Sequence, residues 1–232
     1  MGLSAQQQYY LQKMGIDIYV PRQQPVVTEF VPVAEIHRVE KASASIPAAN
    51  WEKLRNQVAG CTLCDLHKSR TRTVFGVGDV NADWMIIGEA PGRDEDLQGE
   101  PFVGRAGKLL NSMLFAIGLK REQVFIANIL KCRPPNNRDP RPEEVACCES
   151  YLRQQIVMIK PRIILAVGRI AAQNLLKVDT PIGRMRGNRY DFPGSEIPVV
   201  VTYHPAYLLR SPREKRKVWQ DLTMAMEIYR SS

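Results

Sequence analysis

Five cysteines and a handful of glycine-flanked acids, amides and histidines hold most of the chemistry this sequence offers. Cys61 and Cys64 form a C-x2-C turn, Cys132 follows far downstream, and Cys147 and Cys148 stand side by side. Four thiolates from two separated segments suffice to hold a zinc ion or a [4Fe–4S] cluster. Between the two segments runs Gly88-Glu89-Ala90-Pro91-Gly92, followed by Arg93, Asp94, Glu95 and Asp96. Its glycines allow tight turning and close approach by a ligand. Glu89 and Glu95 put two carboxylates into one short loop, although a plain strand-to-helix turn with solvated acids reads the same way.

Three further residues stand where recognition chemistry is plausible. Phe102 lies in a Gly/Pro-rich stretch just ahead of a helical pattern, where an aromatic ring either anchors the loop or offers a flat face to a base. Asn128 ends an apolar run, and its amide both donates and accepts, as the edge of a pyrimidine requires; a capping role is the ordinary alternative. His204 heads Pro205-Ala206-Tyr207-Leu208-Leu209-Arg210, a proline-bounded loop with adjacent leucines and an arginine. Leucines in an exposed loop can enter a base stack, arginine can meet phosphate, and core packing is the commoner use of two leucines.

These motifs need elements to hold them. Apolar runs predict strands at 84–87, 124–130, 162–167 and 197–202, and amphipathic spacing predicts helices at 51–59, 108–117, 142–158, 169–176 and 214–229. Alternating strands and helices signal a parallel sheet covered on both faces. Ligands of such sheets sit outside the carboxyl ends of the strands. The polar motifs follow the first, second and fourth predicted strands, so they can meet at one edge.

The composition narrows the classes. At 232 residues with 44% apolar content, the chain has room for one substantial core plus tails. No apolar run is long enough to cross a bilayer and no secretory leader is evident, which predicts a soluble, cytoplasmic, nucleoid-associated protein without a membrane partner. Cysteines in a reducing compartment favour metal ligation over disulfides. A net charge of +8 suits a phosphate-rich partner. Residues 1–22 read as a short amphipathic peptide, 23–48 as a flexible linker rich in Pro, Val, Ala and Ser, and 49–232 as the folded domain.

GEAPGRDED, GEPFVGRAGKLL, NILKCRPPNNRDP and HPAYLLR, in this order and with the cysteine spacing, resemble the family 4 uracil-DNA glycosylases, the iron–sulfur type of bacteria and archaea. The resemblance runs from Cys61 to about Asp221. It implies a three-layer α/β/α sandwich around a four-stranded parallel sheet, a [4Fe–4S] cluster, and excision of uracil from DNA. Cys61, Cys64, Cys132 and Cys148 would be the cluster ligands, the family interval selecting Cys148 and leaving Cys147 to helix packing. Glu89 and Ala90 would line the uracil pocket, Phe102 would stack on the base, Asn128 would read its edge and His204 would sit near O2. Glu95 would lie by the glycosidic bond, placing water or guarding C5. Leu208, Leu209 and Arg210 would fill or brace the gap left by the flipped nucleotide, and Arg133 and Arg138 would meet DNA phosphate. Asn137 matches a family motif without an assigned chemistry. The implied reaction is monofunctional hydrolysis of the N-glycosidic bond of deoxyuridine, leaving an abasic site.

The head of the chain departs from that family. Tyr10 to Arg22 is similar to the amino-terminal peptide of the psi subunit of bacterial DNA polymerase III, which implies docking on clamp-loader proteins of the replisome. An adaptor with a glycosylase-fold scaffold, active or not, is therefore the alternative, and a metal-stabilised DNA-binding domain without catalysis is a third reading.

Overall fold

The computed structural model describes residues 5–14 and 48–231. The stretch read as a linker, up to Pro47, and the head peptide beyond Met14 lie outside the described residues. Along the chain come helix α1 (Ala5–Lys13), helix α2 (Ala48–Ala59), strand β1 (Val77–Gly78), strand β2 (Trp84–Gly88), and helices α3 (Arg93–Gln98) and α4 (Arg105–Ala116). Strand β3 (Phe125–Asn128), helix α5 (Pro142–Ile159), strand β4 (Ile163–Val167), and helices α6 (Arg169–Leu176) and α7 (Ile182–Met185) follow. Strands β5 (Arg189–Asp191) and β6 (Pro198–Thr202) and helices α8 (Pro205–Arg210) and α9 (Lys215–Ser231) complete the fold.

The sheet order is β1-β3-β2-β4-β6-β5. The four inner strands are parallel, with Ile86 opposite Ile126 on one side and Leu165 on the other, and Leu165 opposite Val200. These are the four strands read from the sequence, and every residue in them is buried. The sheet has six strands rather than four, because β1 and β5 pair antiparallel at its two edges. Two or three residues carrying Gly, Arg and Asp leave no apolar run to detect. Such short, charged edges also discourage pairing with another chain.

Side chains alternate along each strand between two cores. Met85, Ile87, Ala127, Ile164 and Ala166 face the layer holding Trp51 of α2, Leu152 of α5 and Ala171 of α6. Ile86, Ile126, Leu165 and Val200 face Leu110 and Met113 of α4 and Leu222 of α9. This is the expected α/β/α sandwich.

Helix α1 lies on the α4 side. Leu11 and Met14 are buried, Tyr10 meets Phe115 edge-on at 4.3 Å between ring centroids, and Lys215 Nζ donates to the Met14 carbonyl oxygen. Of the apolar side chains that a psi-like peptide would offer to a clamp loader, those of Leu11 and Met14 are thus covered by the protein's own domain. Among the described residues, no helix is long and apolar enough to cross a membrane.

Candidate active site

Parallel strands end together, and here their ends hold the polar residues. Gly88 closes β2 and is followed by Glu89; Asn128 closes β3; His204 comes two residues after β6. Together with Phe102 they line a cavity of about 450 Å³ at the carboxyl edge of the sheet. Ala90, Glu95, Asn137, Arg138 and Arg210 also reach it. Gly88 makes this convergence possible. A Cβ there would stand 2.5 Å from Asn128 Oδ1 and 2.6 Å from Phe102 Cζ, so any side chain would displace both.

Phe102 has φ 54°, a left-handed backbone that costs a non-glycine residue of order 1–3 kcal/mol. The conformation turns the ring inward, 5.5 Å from the His204 ring and inclined to it by 30°. Arg121 holds the turn by donating to the Pro101 and Phe102 carbonyls at 2.6 and 3.4 Å. Glu95 ties this loop to the glycine-rich one. Its Oε1 accepts from the Val103 and Gly104 amides at 3.0 and 3.1 Å, and its Oε2 accepts from the Gly92 amide at 3.1 Å. Both carboxylate oxygens are engaged, so Glu95 braces the two loops while still lining the cavity. Glu95→Ala is expected to lower stability by about 1–3 kcal/mol, the usual cost of orphaned amides, read as a fall in the denaturant midpoint. Glu95→Gln, with one acceptor oxygen left, should recover part of it.

Asn128 is 2% exposed, and its Oδ1 is buried with no hydrogen-bond partner. An orphaned acceptor at this depth costs about 1–3 kcal/mol unless a ligand donates to it. Its own carbonyl is fixed from below by Lys131, whose Nζ donates to Asn128 O at 3.0 Å and to Gln155 Oε1 at 2.7 Å.

His204 caps α8, and Pro205 at the first helical position suits that start. Its Nδ1 accepts from the Ala206 amide at 3.1 Å. Nδ1 is therefore the bare nitrogen, and Nε2 carries the proton. Burial, with Arg210 adding, pushes the imidazole pKa down to about 4. At neutral pH the ring is an uncharged N–H donor. Glu89 moves the other way: burial, with Asp139 adding against the opposing Arg169, raises its pKa to about 7. Asp139 and Arg169 pair at 2.7 Å beside it.

Several expectations need correcting. The segment after His204 is the helix α8, not an extended loop, and within it Leu208 has no exposed surface. Leu208 packs in the α4–α9 core and cannot enter a base stack. Arg138 is committed to Glu144 through two bonds, 2.9 and 2.5 Å, and Arg133 Nε donates to Asn137 Oδ1 at 2.8 Å. Tyr207, Asn137 and Asp139 line the cavity without having been assigned to it. Asn136 and Asn137 both have left-handed backbones, and an Asn-Asn pair after two prolines is the signal that marked this turn.

The cysteines are not among the residues that line the cavity. Cys132 and Cys148 are buried, while Cys61, Cys64 and Cys147 are half-buried. Cys132 feels the charges of Cys64 and Cys61, and Cys148 those of Cys132 and Cys64, so the four predicted ligands form one neighbourhood. Burial raises the thiol pKa of Cys64 and Cys132, and that of Cys148 to about 11. Two sulfurs accept hydrogen bonds suited to thiolates: Lys131 N donates to Cys148 Sγ at 3.3 Å and Arg70 Nη1 to Cys132 Sγ at 3.1 Å. Cys147, expected in the helix packing, instead turns over the first pair and donates to Leu63 O at 3.3 Å. Among the described residues, no three His, Cys, Asp or Glu gather closely enough to hold a single metal ion.

The molecule is thus an α/β/α protein with a polar, aromatic-walled cavity at the carboxyl edge of a parallel sheet. A sequence model of the uracil-DNA glycosylase superfamily matches residues 75–223. The chain belongs to that superfamily and, within it, to the type-4 uracil-DNA glycosylases. It is 49% identical over 178 residues to the type-4 uracil-DNA glycosylase of Archaeoglobus fulgidus, covering 74% of this chain and 89% of that one. It is 44% identical over 177 residues to the type-4 enzyme of Thermotoga maritima, covering 75% and 92%. Likeness to the type-5 uracil-DNA glycosylase of Pyrobaculum aerophilum is lower, 32% over 148 residues, covering 56% of this chain and 64% of the relative.

Proposed function

We propose that this chain is a monofunctional uracil-DNA glycosylase of DNA repair. It extrudes deoxyuridine, hydrolyses the N-glycosidic bond, releases uracil and leaves an abasic site. The observation that carries the reading is the shared cavity, lined by Asn128, whose Oδ1 is buried without a partner, together with Phe102, Glu89 and a neutral His204.

Each residue has a distinct task. Phe102 stacks on the extruded base, and Ala90 bounds it. Asn128 accepts from N3–H of uracil through Oδ1 and donates to O4 through its amide nitrogen. Thymine shares that hydrogen-bonding edge, so its methyl must be refused by shape, which the Glu95-braced loop wall supplies. As the bond to the sugar breaks, negative charge gathers on uracil O2, where His204 Nε2–H donates. Preorganised donation to a developing oxyanion is the largest single rate term available to such a site. A neutral donor keeps its proton while the uracil anion leaves. Glu89, held near neutrality, faces the positive charge on the sugar and serves as base toward the attacking water. No lysine lines the cavity among the described residues, in keeping with direct hydrolysis rather than an imine to the enzyme. Arg210 and Arg133 meet phosphates; Arg138 stabilises the loop that carries Arg133 through Glu144.

Cys61, Cys64, Cys132 and Cys148 hold a [4Fe–4S] cluster in this reading. The donor set fits: four sulfurs from two segments, two already receiving N–H bonds, at a burial that disfavours thiolates without a metal's charge. A cluster of several irons also spaces its ligands farther apart than one ion does. When bound, it supplies structural bracing rather than reaction chemistry. Cys132→Ser should give colourless, iron-depleted protein melting at least about 5 °C lower.

The test of the whole reading is release of uracil from a labelled oligonucleotide by the purified chain, followed by alkaline cleavage at the abasic site. Intact oligonucleotide after prolonged incubation with iron-replete protein would refute it.

A further inference from the structure

We propose that Tyr207, rather than a leucine, is the side chain that enters the duplex where the extruded nucleotide has left. The proposal rests on the uracil-excision reading and goes beyond it by assigning a residue of HPAYLLR that the sequence analysis leaves without a role.

The geometry of α8 sorts its side chains. At about 100° per residue, positions three apart share a face and positions two apart are roughly 200° apart. Ala206, Tyr207 and Arg210 all border the cavity. Leu208 points the other way and is 0% exposed. Leu209 is 38% exposed but does not border the cavity, whereas Tyr207 is 36% exposed and does. Tyr207 is thus the large, partly apolar, solvent-facing side chain on the face of α8 that meets the base. The base-stacking wall on the other side is already supplied by Phe102.

The ring is also held ready. Tyr203 lies against it, centroids 5.0 Å apart and planes at 50°. The Arg186 guanidinium covers the Tyr203 ring at 4.5 Å. Arg186 is fixed by two bonds to Asp221, 2.8 and 2.9 Å. Asp221 is buried and also accepts from Thr202 Oγ1, at the end of β6, at 2.6 Å. A surface tyrosine with no function would need no such chain of supports back to the sheet. A rigid aromatic with few rotatable bonds loses little entropy on insertion, and its flat face can replace the missing base in stacking on the neighbouring pairs. Arg210, one turn along on the same face, and exposed Arg213 are placed to meet the phosphates of the distorted strand.

A gap exists only in a duplex. The test therefore compares kcat/KM for uracil release from a duplex oligonucleotide and from the same single strand. Stacking of a base on an aromatic ring is worth enough that Tyr207→Ala should lower the duplex-to-single-strand ratio about 10- to 100-fold. Tyr207→Phe should keep the ratio within about threefold of the unaltered chain, since the ring and not the hydroxyl does the filling. Melting temperature is measured for both variants. A ratio unchanged in folded Tyr207→Ala overturns the proposal, as does an equal loss on both substrates, which would place Tyr207 in the base pocket. Absence of uracil release by the unaltered chain from either substrate sinks the excision reading, and this proposal with it.

Discussion

Exchange of His204 for alanine is expected to slow uracil release by roughly 100- to 1000-fold, the usual cost of removing one oxyanion donor. The loss should fall on kcat, because the donor matters most when charge has developed on O2. The ring's protonation is settled by two independent features. Nδ1 is occupied by the Ala206 amide, and burial holds the pKa near 4. His204 therefore does not titrate between pH 5 and 9, and its only imprint on the profile is an acid limb near pH 4. Any limb near pH 7 belongs to Glu89, whose pKa is about 7. The near-neutral limb should persist in His204→Ala and vanish in Glu89→Gln. A limb at pH 6–7 that disappears with His204 would show an imidazolium at work and overturn the assignment. Because the Ala206 amide loses its acceptor, α8 also frays slightly in the alanine variant. Full activity restored at low temperature alone would trace the defect to that fraying.

Asn128→Ala is expected to lose activity by a similar 100- to 1000-fold, with stability moving in the opposite direction. In the free protein Asn128 Oδ1 is buried and partnerless. Deleting it removes a penalty of about 1–3 kcal/mol, enough to raise the melting temperature by a few degrees in a domain of this size. A structural asparagine would behave otherwise, since its removal would break bonds and lower the melting point. A joint fall in activity and stability would therefore count against base reading by Asn128. The test works because active sites keep groups that only a ligand can satisfy.

The inner sheet was legible because each central strand is an unbroken apolar run, such as Ile163 to Val167, flanked by residues that cannot continue it. Its edges were not, since Val77-Gly78 and Arg189-Tyr190-Asp191 become strands only through their neighbours. The same division runs through the site. Glu89 and His204 stood out because they follow predicted strands, Asn128 because it interrupts an apolar one, and the ends of parallel strands meet. The bracing by Glu95 was not legible, since three backbone amides converging on one carboxylate leave no mark in sequence. Leu208 reads as a wedge in sequence because the segment reads as a loop, where facing is undetermined. Once six residues form a helix, spacing alone decides which side chain sees the cavity. The head peptide was legible as an amphipathic segment, but nothing in the spacing of Leu11 and Met14 says whether they meet another protein or the domain's own helices.

Lys131 has a consequence for how such a protein fails. Its amide addresses a cysteine sulfur, while its side chain props the carbonyl of Asn128. Disorder among the thiols therefore need travel only three residues before it blurs recognition. On the cluster reading proposed above, iron depletion would therefore be felt at Asn128 as well as at the cysteines.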